Sequence, residues 1–369
     1  MIKIGQITFF KTLYGAILQC AALQYFCRTN KFECELINYS AYGLYRQKKW
    51  TKRLLSKCNE FLDHNLVCRK RYLRTIDFSK RNIHMTYKFS SEDELVKADN
   101  YDVYIAGSDQ IWNPINSNGS SAYFLQFAPK SSMKIAYAPS FGVSSLSFEI
   151  QQKYKEYLKT FDFLSARETQ GATLIENLTG KKVPVVLDPV FLLSAKEWRD
   201  IQSQNYISRR YVICYLVGNN KTLRQMIESS ASKIANELDA QIIWIGCPSY
   251  MRIKNPFDIG WDIGPGEFIN LIDNASYIIT NSFHALAFSI IFNKEFLIVL
   301  PENEGNKEKS LNSRQLSLLK KLNMLDHLGI QGKENNIIYK TNYKNINIIL
   351  NSEIEKSQKF LIEAIKLYR

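Results

Sequence analysis

Three short stretches of the sequence hold side chains whose types and settings suit proton transfer on an anionic ligand. In "TNSFHALAFSIIF", residues 280–292, one of only four histidines stands where a buried strand ends and a helical apolar spacing begins. An imidazole there, His284, can move a proton near neutral pH, and the first turn of the helix offers backbone N–H groups to an anion. In "SARETQG", residues 165–171, Arg167 and Glu168 sit at another strand end. The guanidinium can hold a carboxylate or phosphate through two parallel bonds, with Glu168 orienting it; the plainer alternative is a surface ion pair with Glu168 or Glu176. In "GSDQIWNP", residues 107–114, Ser108, Asp109, Gln110, Trp112 and Asn113 follow a short apolar run. Polar residues at the carboxyl end of such a strand are where α/β sheets place ligands, although Asp109 can equally fix its own loop and Trp112 can be core. His64, His84 and His327 lack any such setting and read as structural or surface groups.

Elements that could position these groups alternate along the chain. A strand at 3–9, a helix from Gly15 to about Arg28 and a strand at 34–39 make a βαβ opening, which implies a parallel sheet. Strands follow at 103–106 and 134–138, then a helix at about 148–160, a strand at 162–166 and a helix after Glu168. "VPVVLDPVFLL" reads as one more strand, closed by Asp188 and Pro189, which are expected to build an interdomain connection. From about residue 205 the alternation restarts, with strands at 211–217, 241–246, 276–280 and 296–300 and helices at 221–238, about 266–273 and from Ser282. The pattern predicts two α/β, Rossmann-like domains, 1–195 and 196–350, and a terminal helix, 351–369, that returns toward the first. Neither half has G-x-G-x-x-G after its first strand; "GPGEFI", 264–269, lacks the last glycine, and Walker A and D-x-D motifs are missing too.

At 369 residues, 46% hydrophobic and 22% charged, the chain has the composition of a globular protein with ample core. The segment 277–300 is apolar but contains Asn281, His284, Asn293, Lys294 and Glu295, so it reads as strand, helix and strand rather than a membrane span. "MIKIGQITFF" lacks signal-peptide zones, and seven cysteines without a C-x-x-C pair suit reduced thiols in a cytoplasmic compartment rather than zinc. The net charge of +13 is concentrated: residues 46–88 hold 13 Lys or Arg with Tyr45, Trp50, Leu54 and Phe61 interleaved nearby. A basic helical insertion at about 41–95 can meet anionic lipid or a polyanionic substrate; a solvated helix packed on its own domain is the alternative. No nucleic-acid motif accompanies the charge.

In "YGAILQCAALQ", "YDVYIAGSDQIWNP", "KIAYAPSFG", "SARETQGATLI", "VVLDPVFLL", "ITNSFHALAFSIIF" and "NSRQLSLLKKLNML", in this order over residues 2–326, the chain resembles the polysaccharide pyruvyl transferase family. The resemblance implies a GT-B-like fold, two Rossmann-like domains facing a central cleft, with the acceptor bound by the first and the donor by the second. It implies transfer of the enolpyruvyl group of phosphoenolpyruvate to two hydroxyls of one sugar, forming a cyclic pyruvate ketal for a surface or capsular polysaccharide. The acceptor would be a sugar, a polyprenyl-diphosphate-linked precursor among the candidates, and no metal or cofactor is demanded. The family's arginine and histidine motifs fall on Arg167 and His284. Members often carry an arginine two residues before the histidine, where this chain has Ser282, so Arg314 is the candidate for the missing phosphate contact.

The implied chemistry needs an acid to protonate the methylene carbon and a base to relieve the attacking hydroxyl. His284 suits the acid: the helix dipole disfavours imidazolium, while a bound phosphate favours it. Asp109 is the candidate base, with Ser108, Gln110, Trp112 and Asn113 as an acceptor platform. Gly15 permits close backbone approach or merely eases helix packing. Asn281 and Ser282 can cap the helix, donate to phosphate, or both. Two other classes compete. A nucleotide-sugar glycosyltransferase of this architecture would often carry Glu-x7-Glu after a strand of the second half, where this chain has that spacing only at Glu355 and Glu363 of the terminal helix. A non-catalytic carbohydrate-binding relative would keep the fold without turning over phosphoenolpyruvate.

Overall fold

A computed structural model describes residues 1–10, 13–39, 69–98, 100–204, 207–218, 220–245, 263–301, 312–330 and 340–368. Most of the basic insertion, including Lys48, Lys49, Lys52 and Arg53, lies outside the described residues. The described strands form two five-stranded sheets whose pairings are all parallel. The first has the order β2-β1-β3-β4-β5, with β1 Lys3–Ile7, β2 Glu33–Leu36, β3 Val103–Ala106, β4 Met133–Ala136 and β5 Phe163–Leu164. The second has the order β10-β9-β8-β6-β7, with β6 Tyr211–Tyr215, β7 Gln241–Ile245, β8 Tyr277–Thr280, β9 Phe296–Leu300 and β10 Leu328–Ile330. Covered on both faces, the central strands β3, β6 and β8 are buried along their whole length, which explains their unbroken apolar runs.

Strand order reverses between β1 and β3 in one sheet and between β6 and β8 in the other, the points at which open parallel sheets leave a crevice beyond their carboxyl ends. The loops leaving these strands carry the candidate site residues. Two helices meet between the sheets. Helix α1 (Tyr14–Thr29) is buried nearly all round because it packs on its own sheet and on the second domain. Tyr14 stacks on Phe268 with ring centroids 4.7 Å apart, and its hydroxyl donates to the Ile263 carbonyl at 3.2 Å. One apolar cluster therefore runs from Ile17 and Leu18 to Phe283 and Leu286 across the boundary.

The basic helix α2 (Arg69–Asn82) spans the same seam, with the Arg71 guanidinium 4.6 Å from the Tyr14 ring centroid and Arg74 3.5 Å from Glu267. The remaining helices are α3 (Phe148–Leu158), α4 (Thr169–Thr179), α5 (Ala195–Ile201), α6 (Lys221–Leu238), α7 (Pro265–Asn274), α8 (Phe283–Ile291), α9 (Ser313–Lys321) and α10 (Tyr343–Lys366). Helix α10 returns to the first domain: Ser357 accepts from the Leu187 N–H at 2.9 Å, and Phe360 stacks on Tyr137. It starts at Tyr343 rather than 351 because Ile346 and Leu350 extend its buried stripe by two turns.

Two expectations need correction. "VPVVLDPVFLL" is not a strand: it makes one isolated parallel bridge, Ala166 with Val185, and then a 3-10 turn at Pro189–Leu192. Pro184 and Pro189 have no N–H for a ladder, and Asp188 caps the turn by accepting from the Val190 N–H at 3.2 Å. Strand β10 was not foreseen, since three residues containing a glycine leave no readable period.

Candidate active site

The loop between β8 and α8 is built to present His284. The Thr280 hydroxyl donates to the Tyr215 carbonyl at 2.7 Å and accepts from the Ser282 N–H at 2.9 Å, which turns the chain out of the sheet. Ser282 then caps α8 by accepting from the Ala285 N–H at 3.4 Å. The Asn281 amide clasps the Val217 backbone, N–H at 2.7 Å and carbonyl at 2.8 Å, tying the loops after β8 and β6 together. Its polar atoms are thus engaged by the main chain.

His284 is 8% exposed, its ring held between the two domains. A Cβ built on Gly15 of α1 would lie 2.0 Å from its Nδ1 and 2.2 Å from its Cγ. Gly15 therefore makes room for the histidine. On the other side Nε2 is buried without a hydrogen bond among the described residues, 3.6 Å from Asp188 Oδ2.

Asp188 is the residue that sequence reasoning placed in a connection and the structure places at the centre. Its Oδ2 accepts from Arg167 Nη1 at 2.7 Å and from Ser108 Oγ at 2.8 Å, in addition to facing His284. Burial opposes its ionisation, but the His284 and Arg167 charges outweigh that and hold its carboxyl well below the usual range. The available signal was positional: "LDP" ends an extended segment beside β5, as "GSD" and "APS" end β3 and β4.

Arg167 lies beneath the cleft rather than in its wall, with its side chain 1% exposed. Besides Asp188, its Nη2 is 3.5 Å from Asp109 Oδ1, and its Cζ sits 4.7 Å from the Phe283 ring centroid. Burial works against the charge, but Asp188, Asp109 and Glu168 together raise its pKa. Nε and Nη2 have no hydrogen-bond partner among the described residues, so within these the guanidinium keeps unused donors. Glu168 is not the surface partner of the plainer reading. Buried at 1% exposure, it accepts through Oε1 from Ser140 Oγ at 2.9 Å and Phe141 N–H at 3.3 Å. Burial pushes its carboxyl up, against the pull of Arg167 and Arg314.

Asp109 faces the cleft from the first domain in a left-handed backbone conformation, φ +72°. Its Oδ1 accepts from the Gln110 N–H at 2.8 Å, so it fixes its loop as well as presenting a carboxylate. Of the expected acceptor platform, Gln110 lines the cleft, whereas Ser108 and Asn113 are buried behind it. Asn113 serves its own loop, accepting from the Ile115 N–H at 2.9 Å. Trp112 belongs to the core: it is fully buried, stacks on Phe124 and donates to the Tyr123 carbonyl at 3.0 Å, leaving no face for a ligand.

Arg314, on α9, reaches across the cleft. With the Gln110 amide oxygen turned toward the guanidinium, it accepts from Arg314 Nη1 at 3.0 Å. Burial and the neighbouring Arg167 charge lower the Arg314 pKa to about 10, which leaves it cationic at neutral pH. The cleft, about 780 Å³, is lined by the polar side chains of Asp109, Gln110, Asn116, His284 and Arg314 together with the apolar Phe9, Phe10, Leu13, Leu300 and Pro301. Among the described residues no group of three or more His, Cys, Asp or Glu side chains is arranged to hold a metal ion.

A model of the polysaccharide pyruvyl transferase family matches residues 14–303 of this chain. No curated protein sequence matches it. Among solved structures, a protein assigned as a UDP-N-acetylglucosamine 2-epimerase of Listeria monocytogenes superposes with a TM-score of 0.51 at 11% identity, over 97% of this chain and 90% of that one. The S. aureus MnaA–UDP structure gives 0.49 at 13% identity over 99% and 91%. The UDP-GlcNAc 2-epimerase of Methanocaldococcus jannaschii gives 0.49 at 13% over 94% and 98%. The first of these shows the fold: two Rossmann-like domains in the GT-B-like arrangement.

Proposed function

Because the chain belongs to the polysaccharide pyruvyl transferase family, we propose that it moves the enolpyruvyl group of phosphoenolpyruvate onto two hydroxyls of a sugar, forming a cyclic ketal in surface or capsular polysaccharide synthesis. One observation carries this reading: His284 from one domain, Asp109 from the other and the cationic Arg314 line one cleft. Phosphoenolpyruvate brings a carboxylate and a phosphate, which suit Arg314 and the N-terminus of α8. His284 delivers a proton to the methylene carbon, which becomes the methyl group. The central carbon then bonds to one sugar oxygen, whose proton passes to Asp109. A second hydroxyl of the same sugar displaces phosphate, and its proton leaves with the phosphate. Two C–O bonds form, the C–O bond to phosphate breaks, and neither oxidant nor metal enters the balance.

The apolar residues among the cleft lining, Phe9, Phe10, Leu13, Leu300 and Pro301, suit an acceptor with an apolar part, in keeping with a polyprenyl-diphosphate-linked precursor. No helix among the described residues is long and apolar enough to cross a membrane. Such a precursor would be met at the inner membrane face, where the basic insertion adds attraction to anionic lipid. The test is phosphate release from phosphoenolpyruvate with a panel of lipid-linked and simple glycosides. Release that depends on both substrates supports the reading. Consumption of a nucleotide sugar without turnover of phosphoenolpyruvate points to a glycosyltransferase, and binding of glycans without either reaction to a carbohydrate-binding relative.

A further inference from the structure

The role assigned to His284 leaves open which ring nitrogen handles the proton. Nε2 is buried and faces Asp188 Oδ2 at 3.6 Å, with no hydrogen-bond partner among the described residues. His284 nonetheless lines the cleft with its side chain 11% exposed, so Nδ1, the ring nitrogen that is not buried beside Asp188, is the one left for a ligand. Asp188 is itself immobilised. Arg167 and Ser108 donate to the same oxygen, and the Val190 N–H donates to the other. Its side chain is fully buried, so water cannot substitute for any of these partners.

From this geometry we infer that Asp188 is the positioning residue of the site: its carboxylate keeps a proton on Nε2 of His284, so that Nδ1 is the nitrogen that exchanges protons with the substrate. The same carboxylate anchors Arg167, which in turn approaches Asp109 at 3.5 Å. The acid and the base of the two domains are therefore referenced to one buried group. A carboxylate behind an imidazole fixes tautomer and ring direction in this way wherever the other nitrogen must be free. This inference rests on the pyruvyl-transfer reading for its consequence, though not for its test.

The first measurement needs no activity. The full-length protein is labelled with ¹⁵N at the histidine rings, and the His284 signals are assigned by their loss in His284→Gln. A proton on Nε2, with or without one on Nδ1, is the expected result; a ring protonated on Nδ1 alone overturns the inference. The second measurement uses Asp188→Asn, which keeps the shape but leaves one acceptor for groups that need two. The expected loss in kcat is about 10²-fold or more, with a smaller change in KM for phosphoenolpyruvate, and the preference for the Nε2 proton disappears. A folded variant that keeps both kcat and the Nε2 proton overturns the inference. Should the variant not fold, the wild-type spectrum decides alone; should the protein not use phosphoenolpyruvate, the same spectrum still decides, and the failure lies with the proposed reaction.

Discussion

Replacing Gly15 by alanine sets two calculable effects against each other. Gly15 is the second residue of α1 and its φ is not positive, so alanine meets no backbone penalty and should gain up to about 1 kcal/mol from helix propensity. The new methyl carbon, however, would stand 2.0, 2.2 and 2.7 Å from Nδ1, Cγ and Cε1 of His284, each far inside van der Waals contact. The ring cannot retreat inward, because Asp188 lies 3.6 Å from Nε2 on that side. If the packing holds, overpacking of this kind costs about 1–3 kcal/mol and, for a unit of this size, lowers Tm by about 2–4 °C per kcal/mol. If the ring yields, it swings from its place, and misplacing a reacting group by about 1 Å costs roughly 10²-fold in rate. The assays are thermal unfolding and phosphate release, run also in a His284→Ala background. There the methyl fills vacated space, and Gly15→Ala should be neutral or stabilising, giving a coupling energy of about 1–3 kcal/mol between the two positions. Gly15→Ala that stabilises the otherwise wild-type protein and leaves its rate unchanged would refute the contact.

Arg314→Gln should raise KM for phosphoenolpyruvate about 10- to 100-fold, the worth of one or two hydrogen bonds to a charged group, with a smaller change in kcat; an unchanged KM removes Arg314 from the donor site. Arg167→Lys should act differently, lowering stability by about 2 kcal/mol or more and reducing kcat, because one ammonium cannot serve Asp188 and Asp109 together and a buried carboxylate is left poorly paired; a variant of wild-type Tm with altered donor KM alone would place Arg167 in the cleft after all. Asp188 has a folded pKa below its unfolded value, so its stabilisation is full above about pH 4 and is lost as pH falls through the folded value; the gap in unfolding free energy between wild type and Asp188→Asn should narrow between about pH 4 and pH 2, and a constant gap would contradict the pairing. Neutralising Lys48, Lys49, Lys52 and Arg53 should weaken co-sedimentation with anionic liposomes, and about 0.1 M salt should do the same by screening; unchanged binding would end the membrane role.

Much of the architecture is legible because parallel strands buried on both faces write themselves as apolar runs. Val103–Ala106 and Phe296–Leu300 are placed to the residue from sequence for that reason. The candidate site is legible where residue type departs from that pattern: a histidine beginning an apolar helix, or an aspartate just past an apolar strand. What escaped has a physical cause in each case. Trp112 and Asn113 share a loop with Asp109, and a sequence does not say which residues of a loop point at the cleft and which at the core; here the ring stack with Phe124 takes Trp112 inward. Asp188 escaped because its contacts with the candidate site are entirely tertiary. It is separated in sequence from Arg167, Ser108 and His284, and a proline beside it offers a sufficient local reason for its presence, the capped turn at Pro189–Leu192. The cap and the hub use different oxygens of one carboxylate, Oδ1 for Val190 and Oδ2 for the site. The capped turn therefore also fixes the direction in which the carboxylate meets Arg167 and His284, so a local motif read as connection doubles as the reference point for both groups.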